Sequence, residues 1–165
     1  MIVKGKAWIF GDDISTDHII PGRFYHLRSN LEELKKHVFD DIAPGFYEKV
    51  KKGDIIAGGR NFGLGSSREH APLIIKMAGI DAIVAPSFAR IFYRNAINVG
   101  LAAIICPVDG IGEGDELEIG LNEGWLLDIT TGERKLFAPL PPIMQSILNE
   151  GGLDHYIKKH RGFTI

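Results

Sequence analysis

Three short apolar runs separated by two helical segments occupy the middle of the chain, and this alternation restricts the fold more than any other feature. The runs, which are typical of buried strands, are residues 54–57, 82–85 and 101–105. A glycine-rich loop over 58–65 and a helix to about Met77 join the first two runs. A helix through Asn98, capped by Ser87 and ended by Gly100, joins the last two. Buried strands with helical crossovers are almost always parallel, so we predict an α/β fold around a central, partly parallel sheet with βαβ crossovers.

The two ends of the chain add smaller elements to this centre. A strand over 7–10 comes first, and a helix capped by Asn30 follows the next loop. After Cys106 the pattern predicts short strands with a small β-hairpin region and then two helices, over 115–119, 126–129, 135–137, 143–149 and 153–159. The sequence contains no repeat, low-complexity tract or dividing linker. We therefore predict that residues 1–165 form a single domain.

Composition excludes several classes of protein. The chain of 165 residues has one cysteine, Cys106, and a formal net charge of −2 at pH 7. One thiol cannot build a disulfide scaffold or a cysteine-ligated zinc finger, and an iron–sulfur cluster takes about four cysteines. Cys106 itself is typical of a buried core thiol. Because the sequence has neither a basic excess nor a membrane-length apolar segment, we expect a cytoplasmic protein that binds no nucleic acid and no membrane.

The glycine-rich loop leads into Ser66, Ser67 and Arg68 at a point where a strand meets a helix. Backbone N–H groups and the helix dipole favour an anion at such a junction. The loop fits neither nucleotide motif: Leu64 occupies the position of the Walker lysine, and Arg68 occupies the position of the third glycine of a dinucleotide loop. Arginine and serine side chains suit a carboxylate instead.

A purely structural interpretation of the same residues is a helix cap. Ser66 and Glu69 have the Ser-x-x-Glu spacing of a capping box, which needs no function. Pro72 follows six residues after this cap and would remove a helical hydrogen bond. A helix that begins later would leave Ser66 and Ser67 in the loop, and spacing alone leaves both interpretations open.

Three motifs in the first two thirds of the chain resemble one family. They are S-T-D-H-I-I-P at 15–21, G-x-G-S-S-R-E-H-A at 63–71 and S-F-A-R-I-F at 87–92. Together they resemble the swivelling domain of the aconitase superfamily, and especially its free-standing form, the small subunits of the 3-isopropylmalate dehydratase and homoaconitase families. The resemblance extends over about residues 11–107 and implies a swivelling β/β/α domain.

The resemblance also implies a reaction and a partner. Members of this family are hydro-lyases that are active only with a large subunit, whose three cysteines hold a [4Fe–4S] cluster, so this chain would hold no metal. Ser66 matches the serine whose alkoxide removes a proton from the substrate. Ser67 and Arg68 match positions that bind a carboxylate of a small di- or tricarboxylate. A helix start and an arginine supply the positive potential that an alkoxide needs.

Substrate choice is implied to lie in the loop 22–30. Arg28 matches the arginine that binds the carboxylate on the variable arm in aconitases and homoaconitases, whereas many isopropylmalate enzymes have an apolar residue there. We expect isopropylmalate, the substrate of leucine biosynthesis, because free-standing small subunits are commonest in that pathway. Arg28 favours the alternative of homoaconitate or dual specificity, and dimethylmalate is a further candidate. A stand-alone carboxylate-binding module or a purely structural partner would not account for the three motifs together.

Overall fold

A seven-stranded mixed sheet forms the centre of the computed structural model, which describes residues 1–162. The strands are β1 (Ile2–Ile9), β2 (Ile55–Ala57), β3 (Ala82–Ala85), β4 (Ala102–Ile105), β5 (Glu116–Gly120), β6 (Trp125–Asp128) and β7 (Arg134–Leu136). Their order across the sheet is β4-β3-β2-β1-β5-β6-β7. Strands β1 to β4 pair in parallel, and β5 to β7 continue the sheet as antiparallel strands. The predicted α/β fold, with a partly parallel sheet and an added hairpin region, is confirmed.

Helical segments connect the strands. They are α1 (Thr16–Ile19), α2 (Leu31–Leu34), α3 (Phe46–Lys49), α4 (His70–Met77), α5 (Arg90–Asn98), α6 (Pro142–Asn149), α7 (Leu153–His160) and the 3-10 helices Gly22–Ser29 and Lys35–His37. Helices α4 and α5 are the two predicted crossovers, which are confirmed. The predicted Asn30 cap is also confirmed, because its side chain accepts a hydrogen bond from the Glu33 amide at 3.3 Å. The loop expected over 22–30 is largely a 3-10 helix.

The predicted cap of α5 is wrong. The helix begins at Arg90, so its cap position is Ala89, where no side-chain hydrogen bond caps the amide groups of the first turn. The Ser87 hydroxyl instead accepts a hydrogen bond from the backbone amide of Asn61 at 2.7 Å. The Ser87 oxygen, which spacing assigned to the amides of α5, is therefore bonded to an amide of a neighbouring loop.

Strand β1 begins five residues earlier than predicted. Its side chains alternate between buried and exposed, with Val3 and Ala7 in the core and Lys4 exposed. This alternation is typical of a strand with one solvated face, and it conceals the strand from a search for a continuous apolar run. A side chain at Gly5 would collide with the backbone carbonyl of Gly53, so the close approach of these two segments requires glycine.

The carboxyl ends of the parallel strands bring three loops together. The Phe10 amide donates to the carbonyl of Ala57 at 3.0 Å, which joins the loop after β1 to the end of β2. The Phe62 amide donates to the carbonyl of Ser87 at 3.1 Å, which joins the loops after β2 and β3. Ligands of open α/β sheets bind at this edge, so the fold places the glycine-rich loop where a site is expected.

Cys106 follows β4 and is 1% exposed. Burial raises the pKa of its thiol, against a smaller lowering by Lys135, so the thiol is held in its protonated form. The predicted core thiol is confirmed. Among residues 1–162 no helix has the length and apolar character needed to cross a membrane.

The buried carboxyl of Asp128 ends β6 and is 1% exposed. Its Oδ1 atom accepts from the Thr131 amide at 3.2 Å, whereas the buried Oδ2 atom has no donor among the described residues. Burial raises the pKa of this carboxyl, the Thr131 amide opposes that rise, and the adjacent Asp115 carboxyl adds to it. The folded chain therefore binds this proton more tightly than the unfolded chain. The stability that this proton supplies is complete below the unfolded pKa and is lost as the pH rises through the raised folded pKa.

Asp128→Asn should raise the free energy of unfolding at pH 7 by about 1 kcal/mol, because the amide can donate towards Asp115 without binding a proton. As the pH falls through the raised pKa of the wild-type carboxyl, which then takes up its proton, the difference should shrink. Urea unfolding at pH 7 and at a series of lower pH values measures this. Asp109→Asn removes the same charge from an exposed position and should change stability by less than about 0.5 kcal/mol. Destabilisation by Asp128→Asn at pH 7 would contradict the raised pKa of Asp128 in the folded chain.

Candidate active site

The glycine-rich loop is packed between the loop after β1 and helix α5. The Gly63 amide donates to the carbonyl of Ile14 at 2.6 Å, and the Thr16 amide donates to the carbonyl of Leu64 at 2.8 Å. Gly63 has φ +86°, and a side chain there would collide with the ring of Phe92. Glycine is therefore required at this turn both by conformation and by packing.

Ser66 is exposed and is held by Thr16, whose side chain is buried. The Ser66 amide donates to Thr16 Oγ1 at 3.2 Å, and the two hydroxyl oxygens are 3.1 Å apart. Either hydroxyl can donate in this contact while Ser66 is neutral, but once Ser66 is an alkoxide only Thr16 carries a proton, so the Thr16 hydroxyl then donates to Ser66 Oγ. A hydroxyl donor directed at Ser66 Oγ stabilises negative charge on that oxygen.

Helix α4 begins at His70, so Ser66 and Ser67 lie in the loop. The residue that precedes the helix is Glu69, and no side-chain hydrogen bond caps the helix there. The capping-box interpretation of Ser66 and Glu69 is therefore wrong, and the later helix start indicated by Pro72 is confirmed. Ser66 precedes the first turn of α4, where the helix dipole is strongest, so the contact with Thr16 supplies the closer stabilisation.

Arg68 turns back over the other loops. Its Nη1 atom lies 3.4 Å from Asp17 Oδ1, and its guanidinium carbon lies 4.3 Å from the centroid of the Tyr25 ring. The Arg68 side chain is 25% exposed, whereas Asp17 is 74% exposed. A long contact with a hydrated carboxylate is weak, so the fork of Arg68 is available to a stronger anion.

Arg28 lies at the surface beside the same aromatic ring. Its guanidinium carbon is 5.0 Å from the Tyr25 centroid, and Nη1 donates to the Tyr25 carbonyl at 3.4 Å. Tyr25 thus contacts both Arg28 and Arg68, although the two arginines come from different segments of the chain. Ser67 is exposed, and its carbonyl accepts from Asn95 Nδ2 at 3.2 Å, which fastens the loop to α5.

Three neighbours of the predicted residues were not singled out by sequence pattern. They are Thr16, Tyr25 and Asn95. Thr16 belongs to the motif at 15–21 and Tyr25 belongs to the loop 22–30. Membership of these segments was therefore the signal that could have placed both residues at the site. Asn95 carries no signal beyond its place on a predicted helix.

The side chains of this region suit a carboxylate and do not suit an iron–sulfur cluster. Hydroxyl and guanidinium groups are hydrogen-bond donors for anions, whereas clusters are held mainly by thiolates. The one thiol, Cys106, is buried. Within residues 1–162 no group of three or more His, Cys, Asp and Glu side chains could hold a metal ion.

The core of the fold and this loop cluster are those of an aconitase-class domain. The family model described as "Aconitase C-terminal domain" matches residues 35–107, a stretch that includes β2 to β4 and the loop that carries Ser66. Curated relatives extend the similarity to the whole chain. A 3-isopropylmalate dehydratase small subunit 2 from Archaeoglobus fulgidus is 58% identical over 165 residues and 100% of both chains. A small subunit 1 of the same enzyme from Thermotoga maritima is 60% identical over 98% of both chains.

A solved structure agrees with these relatives. The crystal structure of a 3-isopropylmalate dehydratase chain from Methanocaldococcus jannaschii has a TM-score of 0.92 and 46% sequence identity, and the match covers 98% of this chain and 96% of that one. The chain belongs to the family of 3-isopropylmalate dehydratase small subunits.

Proposed function

We propose that this chain is the small subunit of a 3-isopropylmalate dehydratase, a hydro-lyase that interconverts 2-isopropylmalate and 3-isopropylmalate in leucine biosynthesis. Full-length identity of 58% to a named small subunit carries this proposal. The proposed catalytic residue is Ser66, and the proposed substrate-binding residues are Ser67, Arg68 and Arg28, of which Arg28 would bind a carboxylate on the variable arm of the substrate. In this proposal residues 1–165 form one swivelling domain, which a continuous cluster of buried side chains supports. The enzyme is proposed to be cytoplasmic.

In the proposed mechanism Ser66 Oγ is the base. As an alkoxide it takes a proton from the carbon next to the carbon that bears the hydroxyl group, and hydroxide leaves to form a cis-alkene. Water then adds with the positions exchanged: hydroxide joins the carbon that lost the proton, and Ser66 returns the proton to the other carbon. Arg68 binds a carboxylate throughout, and the 3.1 Å contact with Thr16 supports the charged form of Ser66.

The partner in this proposal is the large subunit, and the cofactor is its [4Fe–4S] cluster. The cluster would supply a Lewis acid for the hydroxyl and carboxylate of the substrate. The exposure of Ser66 and Ser67 supports the need for a partner, since a second surface is required to exclude water from the reacting atoms.

Reconstitution tests the proposal. The purified chain alone should be inactive and colourless, and addition of a cluster-loaded large subunit should produce turnover of isopropylmalate. A stand-alone carboxylate-binding module would form no active complex. A complex that forms but turns over none of the candidate substrates would overturn the proposed function.

The position of Arg28 favours homoaconitate or dual specificity as a second candidate, because this arginine contacts the same Tyr25 ring as Arg68. Arg28→Val should lower kcat/KM for homocitrate by about 100-fold, since a charged hydrogen bond to the variable arm is lost. The same change should leave kcat/KM for isopropylmalate within about threefold, because an isopropyl arm offers the guanidinium no acceptor. Steady-state assays of the reconstituted pair measure both values. If the wild type turns over homocitrate well and isopropylmalate poorly, isopropylmalate is the wrong substrate.

A further inference from the structure

The ring of Tyr25 contacts two arginine side chains at once. The guanidinium carbons of Arg68 and Arg28 lie 4.3 Å and 5.0 Å from its centroid, within the range of cation–π attraction. The two guanidinium groups are therefore no farther apart than the sum of these distances. The ring of His70, the first residue of α4, packs edge-on against Tyr25 with centroids 6.2 Å apart. This contact ties the ring to the element that follows the glycine-rich loop.

Among residues 1–162, neither arginine forms a short ion pair that would fix its position. The Arg28 hydrogen bond to the Tyr25 carbonyl and the Arg68 contact with Asp17 are both 3.4 Å long. Donor–acceptor distances of N–H···O bonds are usually 2.7–3.2 Å, so both contacts are weak. Within the described part of the chain, the aromatic ring is thus the one partner that the two guanidinium groups share.

A second arginine–aromatic pair in the same 3-10 helix is built differently. The guanidinium carbon of Arg23 lies 4.5 Å from the centroid of Phe24, but Arg23 also forms a two-pronged ion pair with Asp41 at 2.7 Å and 2.9 Å. This pairing raises the pKa of Arg23 and lowers that of Asp41. The fold therefore satisfies Arg23 internally, while it leaves Arg28 and Arg68 with donors available to a ligand.

We propose that Tyr25 is a positioning residue that holds Arg28 and Arg68 together so that both can bind carboxylates of one homocitrate molecule, whose variable arm carries a carboxylate. The inference rests on the second candidate of the proposed function, in which homocitrate is a substrate. Two like charges repel, and the negative face of the ring offsets this repulsion before substrate arrives. Without the ring each arginine side chain must be ordered during binding, which costs conformational entropy.

Tyr25→Leu in the reconstituted enzyme should raise KM for homocitrate by roughly tenfold, because the cation–π contacts that preorder the arginines are lost. The value of kcat should stay within about threefold, since binding is weakened equally in the ground and transition states. Tyr25→Phe keeps the ring and should restore the wild-type KM. Phe24→Leu, the matched control, removes the neighbouring ring and should leave KM unchanged. An equal rise in KM for Phe24→Leu, or a loss of kcat without a change in KM for Tyr25→Leu, would overturn the proposal.

A measurement without turnover separates this inference from the proposed function. In the isolated full chain, the side-chain N–H resonances of Arg28 and Arg68 should carry ring-current shifts that vanish in Tyr25→Leu and persist in Tyr25→Phe. Titration with succinate, a simple dicarboxylate probe, should move both resonances, and Tyr25→Leu should need roughly tenfold more succinate. If the complex turns over no candidate substrate, the proposed function fails and this titration still decides the role of Tyr25. Absent ring-current shifts in the wild type, or equal succinate affinity in all three chains, would contradict the positioning role.

Discussion

Ser66→Ala should lower kcat of the reconstituted enzyme by at least about 10³-fold, with KM changed by less than about threefold. The hydroxyl oxygen of Ser66 is the proposed base, so its removal leaves no group at that position to take the proton from carbon. Arg68 is untouched by the substitution, so carboxylate binding persists. Steady-state kinetics on isopropylmalate with a saturating large subunit measure both constants, and the cluster absorbance shows that the cofactor is intact.

Ser67→Ala is the matched control for this substitution. It removes a hydroxyl of the same size from the adjacent exposed residue, and the backbone carbonyl that binds Asn95 is kept. We expect its effect to fall mainly on KM, by roughly tenfold, because the proposed role of Ser67 is to bind a carboxylate. Near-normal kcat in Ser66→Ala, or an equal loss of kcat in both variants, would exclude Ser66 as the base.

The parallel half of the fold could be predicted because its sequence signals are local. Each buried strand is a short apolar run, and Gly100 marks the end of a crossover helix with φ +85°. Helix starts were less predictable, since serine hydroxyls have several amides within reach. Ser87 Oγ accepts from the Asn61 amide across loops, and Ser66 Oγ contacts the Thr16 hydroxyl. Spacing is compatible with a helix cap for both serine hydroxyls, and the fold uses both for tertiary contacts.

The candidate site was predictable in its members and not in its geometry. Ser66, Ser67, Arg68 and Arg28 follow from motifs, but spacing could not show that Tyr25 brings Arg28 to Arg68. Such a contact depends on the path of the 3-10 helix Gly22–Ser29, which carries no buried residue and no amphipathic pattern. A segment that is neither helical nor strand-like in its periodicity offers no signal for the direction of its side chains.

The Ser66 contact with Thr16 leads to the second large effect. Thr16→Val should lower kcat by about 10²-fold, because the buried hydroxyl that faces Ser66 Oγ at 3.1 Å is replaced by a methyl group of similar size. The substitution also removes the acceptor of the Ser66 amide. Ser66 Oγ therefore loses the hydroxyl that can donate to it, and the Ser66 backbone loses the hydrogen bond that holds it in place. Thr16→Ser retains the hydroxyl and should recover kcat to within about fivefold of the wild type.

Thermal unfolding separates this effect from a loss of structure. Thr16 is 2% exposed, so Val and Ser variants should each lose stability, the Ser variant by about 1 kcal/mol through its missing methyl group. A catalytic role for the hydroxyl therefore requires that kcat be lost in Thr16→Val and kept in Thr16→Ser, although both variants lose stability. In Thr16→Val the pH profile of kcat should move to higher pH, because an alkoxide without a donor forms less readily. If the Val and Ser variants lose kcat equally, or the Val profile keeps its wild-type position, Thr16 does not stabilise the charged form of Ser66.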